Sequence, residues 1–186
     1  MASKHDLRRV QRSLRRDLAD RFPGAAGAAA ELLPKGLKPA TVGGYLPMGG
    51  ELDPGPVLKV LQGRGALLAL PVCLAPASPL IFRAYCQGDG LAPDAMGLPA
   101  PTEAAASVTP DVLIIPLLAF DRRGGRLGQG GGFYDRTLEA LRRQGRVLAI
   151  GLAYAGLEVE EAPMIEHDQS LDAILTETGY IVPQRT

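Results

Sequence analysis

The sequence predicts an α/β fold: a single-domain, three-layer, doubly wound and mostly parallel sheet with helices on both faces. Three observations carry this expectation. Short apolar runs alternate with stretches of helical periodicity along most of the chain. One run, residues 112–118, is apolar throughout, as a strand buried on both faces of a parallel sheet would be. A glycine-rich segment follows that run and opens a helix, the kind of junction at which open α/β sheets bind ligands.

The elements follow in order. Leu7, Val10, Leu14 and Leu18 recur at spacings of three and four, so residues 4–21 read as an amphipathic helix. Arg8, Arg9, Arg12, Arg15, Arg16 and Arg21 fill its other faces, which are expected to be solvated. Pro23 and Gly24 end it, and the alanine-rich stretch up to Leu33 reads as a second helix closed by Pro34 and Gly36. Residues 42–46 read as a strand. Asp53 and Pro54 then supply the acid and the proline that a helix start favours, for a helix running to Gln62. Residues 66–72 and 80–86 read as further strands, and 88–109, rich in Pro, Gly and Ala, as loop with at most a short helix. After the strand at 112–118, residues 133–144 are helical with Leu138 and Leu141 facing inward. Residues 147–153 form another buried strand and 173–176 a last short one.

Composition narrows the function classes. The 186 residues suffice for one domain, 1–186, with a core that needs no disulfide or structural metal. A net charge of zero speaks against nucleic acid as the main partner, whereas an anionic small molecule needs only a local basic cluster. Cys73 and Cys86 match no metal knuckle or redox pair and are expected to be partly buried free thiols. No apolar run approaches the roughly 20 residues that cross a bilayer. The N-terminal stretch lacks a signal-peptide core, so the expectation is a cytoplasmic monomer with no membrane or nucleic-acid partner.

The chemistry concentrates in residues 120–136. Six glycines in the nine positions 124–132 leave backbone N–H groups uncovered and permit positive φ, so the chain can wrap an anion. The following helix adds a favourable dipole end, and Arg126 a forked cation for phosphate oxygens. The segment is not a Walker A loop, because no Gly-Lys-Ser/Thr closes it. It is not the dinucleotide fingerprint either, because Phe133 stands where the last glycine belongs.

This segment resembles the signature of the 5-formyltetrahydrofolate cyclo-ligase family, and the resemblance extends over nearly the whole chain. Lys4-His5-Asp6-Leu7-Arg8 resembles the family's N-terminal Lys-x-x-Leu-Arg. Leu46-Pro47-Met48-Gly49-Gly50-Glu51 resembles its folate-side segment, and Glu166-His167-Asp168 with Leu171-Asp172 its acidic C-terminal motif. The resemblance implies an enzyme that uses ATP as co-substrate and Mg²⁺ to close the ring of 5-formyltetrahydrofolate. Lys4, Arg8, Arg126, Leu127, Gly128, Gln129, Gly130, Gly131, Gly132, Phe133 and Tyr134 would bind ATP, with Arg126 and Lys4 catalytic. Leu46 and Glu51, with Gln129, Gly130, Gly131, Gly132 and Phe133, would border the folate. Asp135 and Asp168 would hold the metal.

Read without the resemblance, these residues have plainer roles. Asp135 suits a helix N-terminus, Asp168 a surface turn, Glu51 a solvated acid before a helix, and Lys4 and Arg8 a solvent-facing stripe. The sequence also departs from the family pattern. Pro99-Ala100-Pro101 lacks the acid of a Glu-Pro pair, Gly156-Leu157 replaces a common glutamine, and Phe133 stands where tyrosine is frequent. Three rival functions remain: a sugar-phosphate isomerase, a folate- or nucleotide-binding regulator, and an RNA binder working through the Arg-rich first helix.

Overall fold

The computed structural model describes residues 3–184. Met1 and Ala2, part of the N-terminal stretch read above, and Arg185 and Thr186 lie outside the described residues. Helix α1 spans Lys4–Arg21, with Ser3 as N-cap accepting from the Asp6 N–H. Helix α2 (Ala25–Glu31) follows, then β1 (Thr41–Gly43) and α3 (Gly55–Gly63). The Asp53 carboxylate accepts from the Gly55 N–H at 2.8 Å, the acid-and-proline start that the sequence suggested. Next come β2 (Leu67–Val72), β3 (Ile81–Ala84), β4 (Leu91–Pro93), β5 (Pro99–Pro101) and β6 (Ser107–Val108). The central strand β7 (Val112–Pro116) leads into a short hairpin, β8 (Ala119–Phe120) and β9 (Arg126–Leu127). The chain ends with α4 (Phe133–Gln144), β10 (Leu148–Leu152), β11 (Ala173–Thr176) and β12 (Gly179–Ile181).

The main sheet has eight strands in the order β12-β11-β10-β7-β1-β2-β3-β6. Its five central strands are parallel, and β12, β3 and β6 are antiparallel at the two edges. The fold is therefore the expected doubly wound, mostly parallel α/β domain. The chain moves from β1 to β2 in one direction and from β7 to β10 in the other. With right-handed crossovers, α3 and α4 then cover opposite faces. Leu113, Ile114 and Ile115 of β7 are fully buried, as the apolar run predicted.

Four expectations are corrected. Residues 88–109 contain three short strands and no helix. The β4–β5 pair tolerates Pro93, Pro99 and Pro101 because it is an isolated ribbon with no further strand to serve. Cys73 is buried but Cys86 is exposed, and both are free. On α1, Val10 is 56% exposed, and the buried residues are Gln11, Arg15 and Leu18. The basic face of α1 is not wholly solvated either. The helix lies over loops rich in free carbonyls, which call for donors rather than methyl groups. Among the described residues, no helix is long and apolar enough to cross a membrane.

Candidate active site

Strand order reverses between β1 and β7, so a crevice opens beyond their carboxyl ends. A cavity of about 890 Å³ occupies it, floored by Tyr45, Leu70, Ile115 and Pro116. Every residue expected to bind ATP, folate or metal borders this one cavity.

The β8–β9 hairpin sets up one wall. Asp121, almost fully buried, accepts from the N–H groups of Arg123 (2.8 Å), Gly125 (3.0 Å) and Ala162 (2.9 Å), which ties the turn to the C-terminal segment. The chain then runs through Arg126 into the glycine loop. The Gly128 carbonyl accepts from Arg8 Nε at 3.0 Å, and the Gly131 carbonyl from Arg136 Nη2 at 2.7 Å. Arg12 reaches both Oε1 (2.9 Å) and the carbonyl (3.3 Å) of Gln129. Three carbonyls of the loop are thus engaged, while no N–H of residues 128–132 donates to any described residue. Gly130 (φ +106°) and Gly132 (φ +64°) supply the left-handed turns this requires. Gly132 also starts α4 without a side-chain cap, so the helix N-terminus stays open toward the cavity. Free amides at a positive helix end form an anion nest.

Charged side chains complete that wall. Arg126, only 6% exposed, donates from Nη2 to Asp135 Oδ1 at 2.5 Å. Its Nη1 is buried without a hydrogen-bond partner among the described residues. Burial pulls the guanidinium's pKa below its ordinary value, against the opposing pull of Asp135 and Asp168. Lys4 Nζ donates to Asp168 Oδ2 at 2.9 Å. Burial pushes the Asp168 carboxyl up, but the Lys4 ammonium and the Ile165 N–H outweigh it and hold the group below the usual carboxylate range. Asp135 Oδ1 also accepts from the Gln169 N–H at 3.0 Å. Asp135 Oδ2 and Asp168 Oδ1 accept no hydrogen bond from the described residues. Two uncommitted carboxylate oxygens on a cavity wall suit a hard cation that takes the rest of its shell from phosphate and water. No group of three or more His, Cys, Asp or Glu that could hold a metal ion by itself occurs among the described residues.

The opposite wall is built on the segment leaving β1. Leu46 is half-buried, and Glu51 is held by Arg15 Nη1 at 3.2 Å and by the Met48 N–H at 3.1 Å. Tyr45 anchors the segment from below by donating to the Leu52 carbonyl. Burial, reinforced by Glu51, raises the pKa of both Tyr45 and Tyr134, so both hydroxyls stay protonated donors.

The chain matches the 5-formyltetrahydrofolate cyclo-ligase family over residues 1–177. It belongs to that family. Among curated cyclo-ligases, the Escherichia coli K12 protein is 39% identical over 142 residues, covering 73% of this chain and 77% of that one. The Mycolicibacterium smegmatis cyclo-ligase is 33% identical over 196 residues, covering 98% of both chains. The solved Aquifex aeolicus 5,10-methenyltetrahydrofolate synthetase superposes with a TM-score of 0.77 at 26% identity, covering 98% of this chain and 94% of that one. Membership makes the chain an enzyme, which sets aside the isomerase, regulator and RNA-binder readings.

Within the cyclo-ligase frame, the structure refines several expected roles. Asp135 does sit in the first turn of α4 and Asp168 does follow a turn, but each is also ion-paired at the cavity, to Arg126 and Lys4 respectively. Glu51 is not solvated. The Leu127 side chain is buried with Leu118 and Ala119, so its backbone is what it offers the loop. Arg8 holds the loop by its Nε, and His167 borders the cavity. Sequence reasoning missed Arg12, Arg15, Tyr45 and the hub role of Asp121. A signal for the arginines was present: Lys4, Arg8, Arg12 and Arg15 recur at spacings of four, four and three, one stripe of the helix.

Proposed function

We propose that this chain binds ATP and 5-formyltetrahydrofolate together in the switch-point cavity and converts the folate to 5,10-methenyltetrahydrofolate, releasing ADP and phosphate. Family membership supports the folate conversion. The observation that best supports ATP as co-substrate is the glycine loop at the uncapped start of α4, where no N–H of residues 128–132 donates to a described residue, set beside the Arg126 guanidinium. Free amides at a positive helix end beside a guanidinium favour an anion, and phosphate oxygens fit.

In this reading the N–H groups of residues 128–132 cradle the phosphates, and Arg126 and Lys4 flank them. Asp135 and Asp168 would hold Mg²⁺ through their uncommitted oxygens, and the ion would draw charge from the phosphate oxygens. Glu51 accepts N–H donors of the pterin, and so orients the formyl group toward the γ-phosphorus.

The formyl oxygen attacks that phosphorus, an O–P bond forms, the bond to the ADP oxygen breaks, and an imidate phosphate results. The amine at position 10 attacks the formyl carbon. The C–O bond then breaks with its electrons going to the departing phosphate, and the amine proton is released. Positioning and charge stabilisation are the catalytic terms in such phosphoryl transfers, and no side-chain nucleophile is needed.

The route has a signature. With substrate carrying a heavy oxygen isotope in the formyl group, the label should leave in inorganic phosphate. Label recovered in water would contradict the phosphorylated intermediate.

A further inference from the structure

We infer that Arg15 is a positioning residue for the folate half of the site, presetting the Glu51 carboxylate and the segment that carries it. The inference rests on the proposed role of Glu51 at the substrate. The Arg15 side chain is 3% exposed and does not border the cavity, whereas Glu51 and Met48 do. Its Nη1 donates to Glu51 Oε1 at 3.2 Å and to the Leu117 carbonyl at 3.4 Å. Its Nη2 donates to the carbonyls of Met48 at 3.3 Å and Gly49 at 3.1 Å. These four bonds join the segment leaving β1 to the segment leaving β7, across the switch point itself.

The segment is shaped to receive the guanidinium. Gly49 (φ +55°) and Gly50 (φ +79°) fold it onto α1, and a Cβ at Gly50 would lie 3.3 Å from the Arg16 Cα. Arg15 takes Glu51 Oε1 and the Met48 N–H takes Oε2. Each oxygen thereby keeps one lone-pair direction for a ligand donor. Lysine cannot reproduce this, because an ammonium is a point charge while the bonds here use a planar fork. Without the fork, a buried carboxylate loses its bonded partner and three carbonyls lose their donor, so the segment shifts. The nucleotide wall shares none of these bonds.

The test measures dissociation constants for 5-formyltetrahydrofolate and for ATP, separately, by calorimetry. The proteins are the parent, Arg15→Lys, Glu51→Gln and the double variant. Arg15→Lys should weaken folate binding by roughly tenfold or more while ATP binding stays unchanged. In the Glu51→Gln background the same change should add little, because the two residues act as one unit.

Unchanged folate affinity, equal losses for both ligands, or full additivity overturns the inference. If Glu51→Gln itself leaves folate affinity intact, the proposed folate site fails and the inference falls with it, an outcome distinct from the others. Should Arg15→Lys not melt cooperatively, Gly50→Ala moves the same segment with Arg15 intact. A selective folate loss is then required of that variant.

Discussion

Replacing Gly130 with alanine isolates the backbone's part in nucleotide binding. Gly130 has φ +106°, where residues bearing a Cβ are rarely found, and the new methyl would lie 3.3 Å from Arg8 Cζ. Holding a non-glycine residue in such a region costs about 1–3 kcal/mol. The loop is exposed and adds nothing to the core, so the strain should be relieved by rearrangement of the loop and not by global unfolding. The conformation with its amides toward the cavity then becomes a minor state, and apparent ATP affinity falls in proportion, roughly 5- to 150-fold. The assay is the KM for ATP at saturating folate, read from the methenyl chromophore, with a thermal melt alongside. Gly27→Ala is the control: a Cβ there meets nothing within 4 Å, and alanine is the better helix former by about 1 kcal/mol. The control should keep the parental KM and melt slightly higher. A Gly130→Ala enzyme with parental KM and parental turnover would refute the idea that this loop's amides hold the nucleotide.

Asp135→Asn should abolish most turnover while the protein still melts cooperatively; activity near that of the parent removes Asp135 from the site. Because the folded-state pKa of Asp168 is depressed, its pairing with Lys4 contributes stability above the ordinary carboxylate pKa of about 3.9, and that contribution is lost as pH falls through the lower folded value. Asp168→Asn should therefore flatten the acid limb of a stability-versus-pH curve, and an unaltered limb would contradict the pairing. Leu138→Ala, which empties a fully buried position on α4, should lower unfolding free energy by about 2–5 kcal/mol in a denaturant titration.

The parallel core was legible because its strands are apolar on both faces and its helices carry period and are bounded by Pro and Gly. Residues 133–144 and 173–176 match α4 and β11 to the residue. The antiparallel turn of β3 was also readable in principle. Only residues 73–80 separate it from β2, too few for a crossover that takes a dozen or more. The β8–β9 hairpin was not readable, because its strands are two residues long and a side chain, Asp121, holds the turn. The polar inward face of α1 escaped for a related reason: an apolar-periodicity reading has no term for arginines whose partners are carbonyls far along the chain. The site was located by its glycines, but the pairings Lys4–Asp168 and Arg126–Asp135 depend on how the chain closes on itself, which spacing alone does not reveal.

The most direct test of the central claim follows methenyl absorbance in a single turnover, with the purified protein, 5-formyltetrahydrofolate and ATP, with and without Mg²⁺. The account predicts that the chromophore grows only when protein, ATP and Mg²⁺ are all present, with one ADP released per methenyl bridge formed. Chromophore formation without ATP, or ADP release without the chromophore, would contradict it.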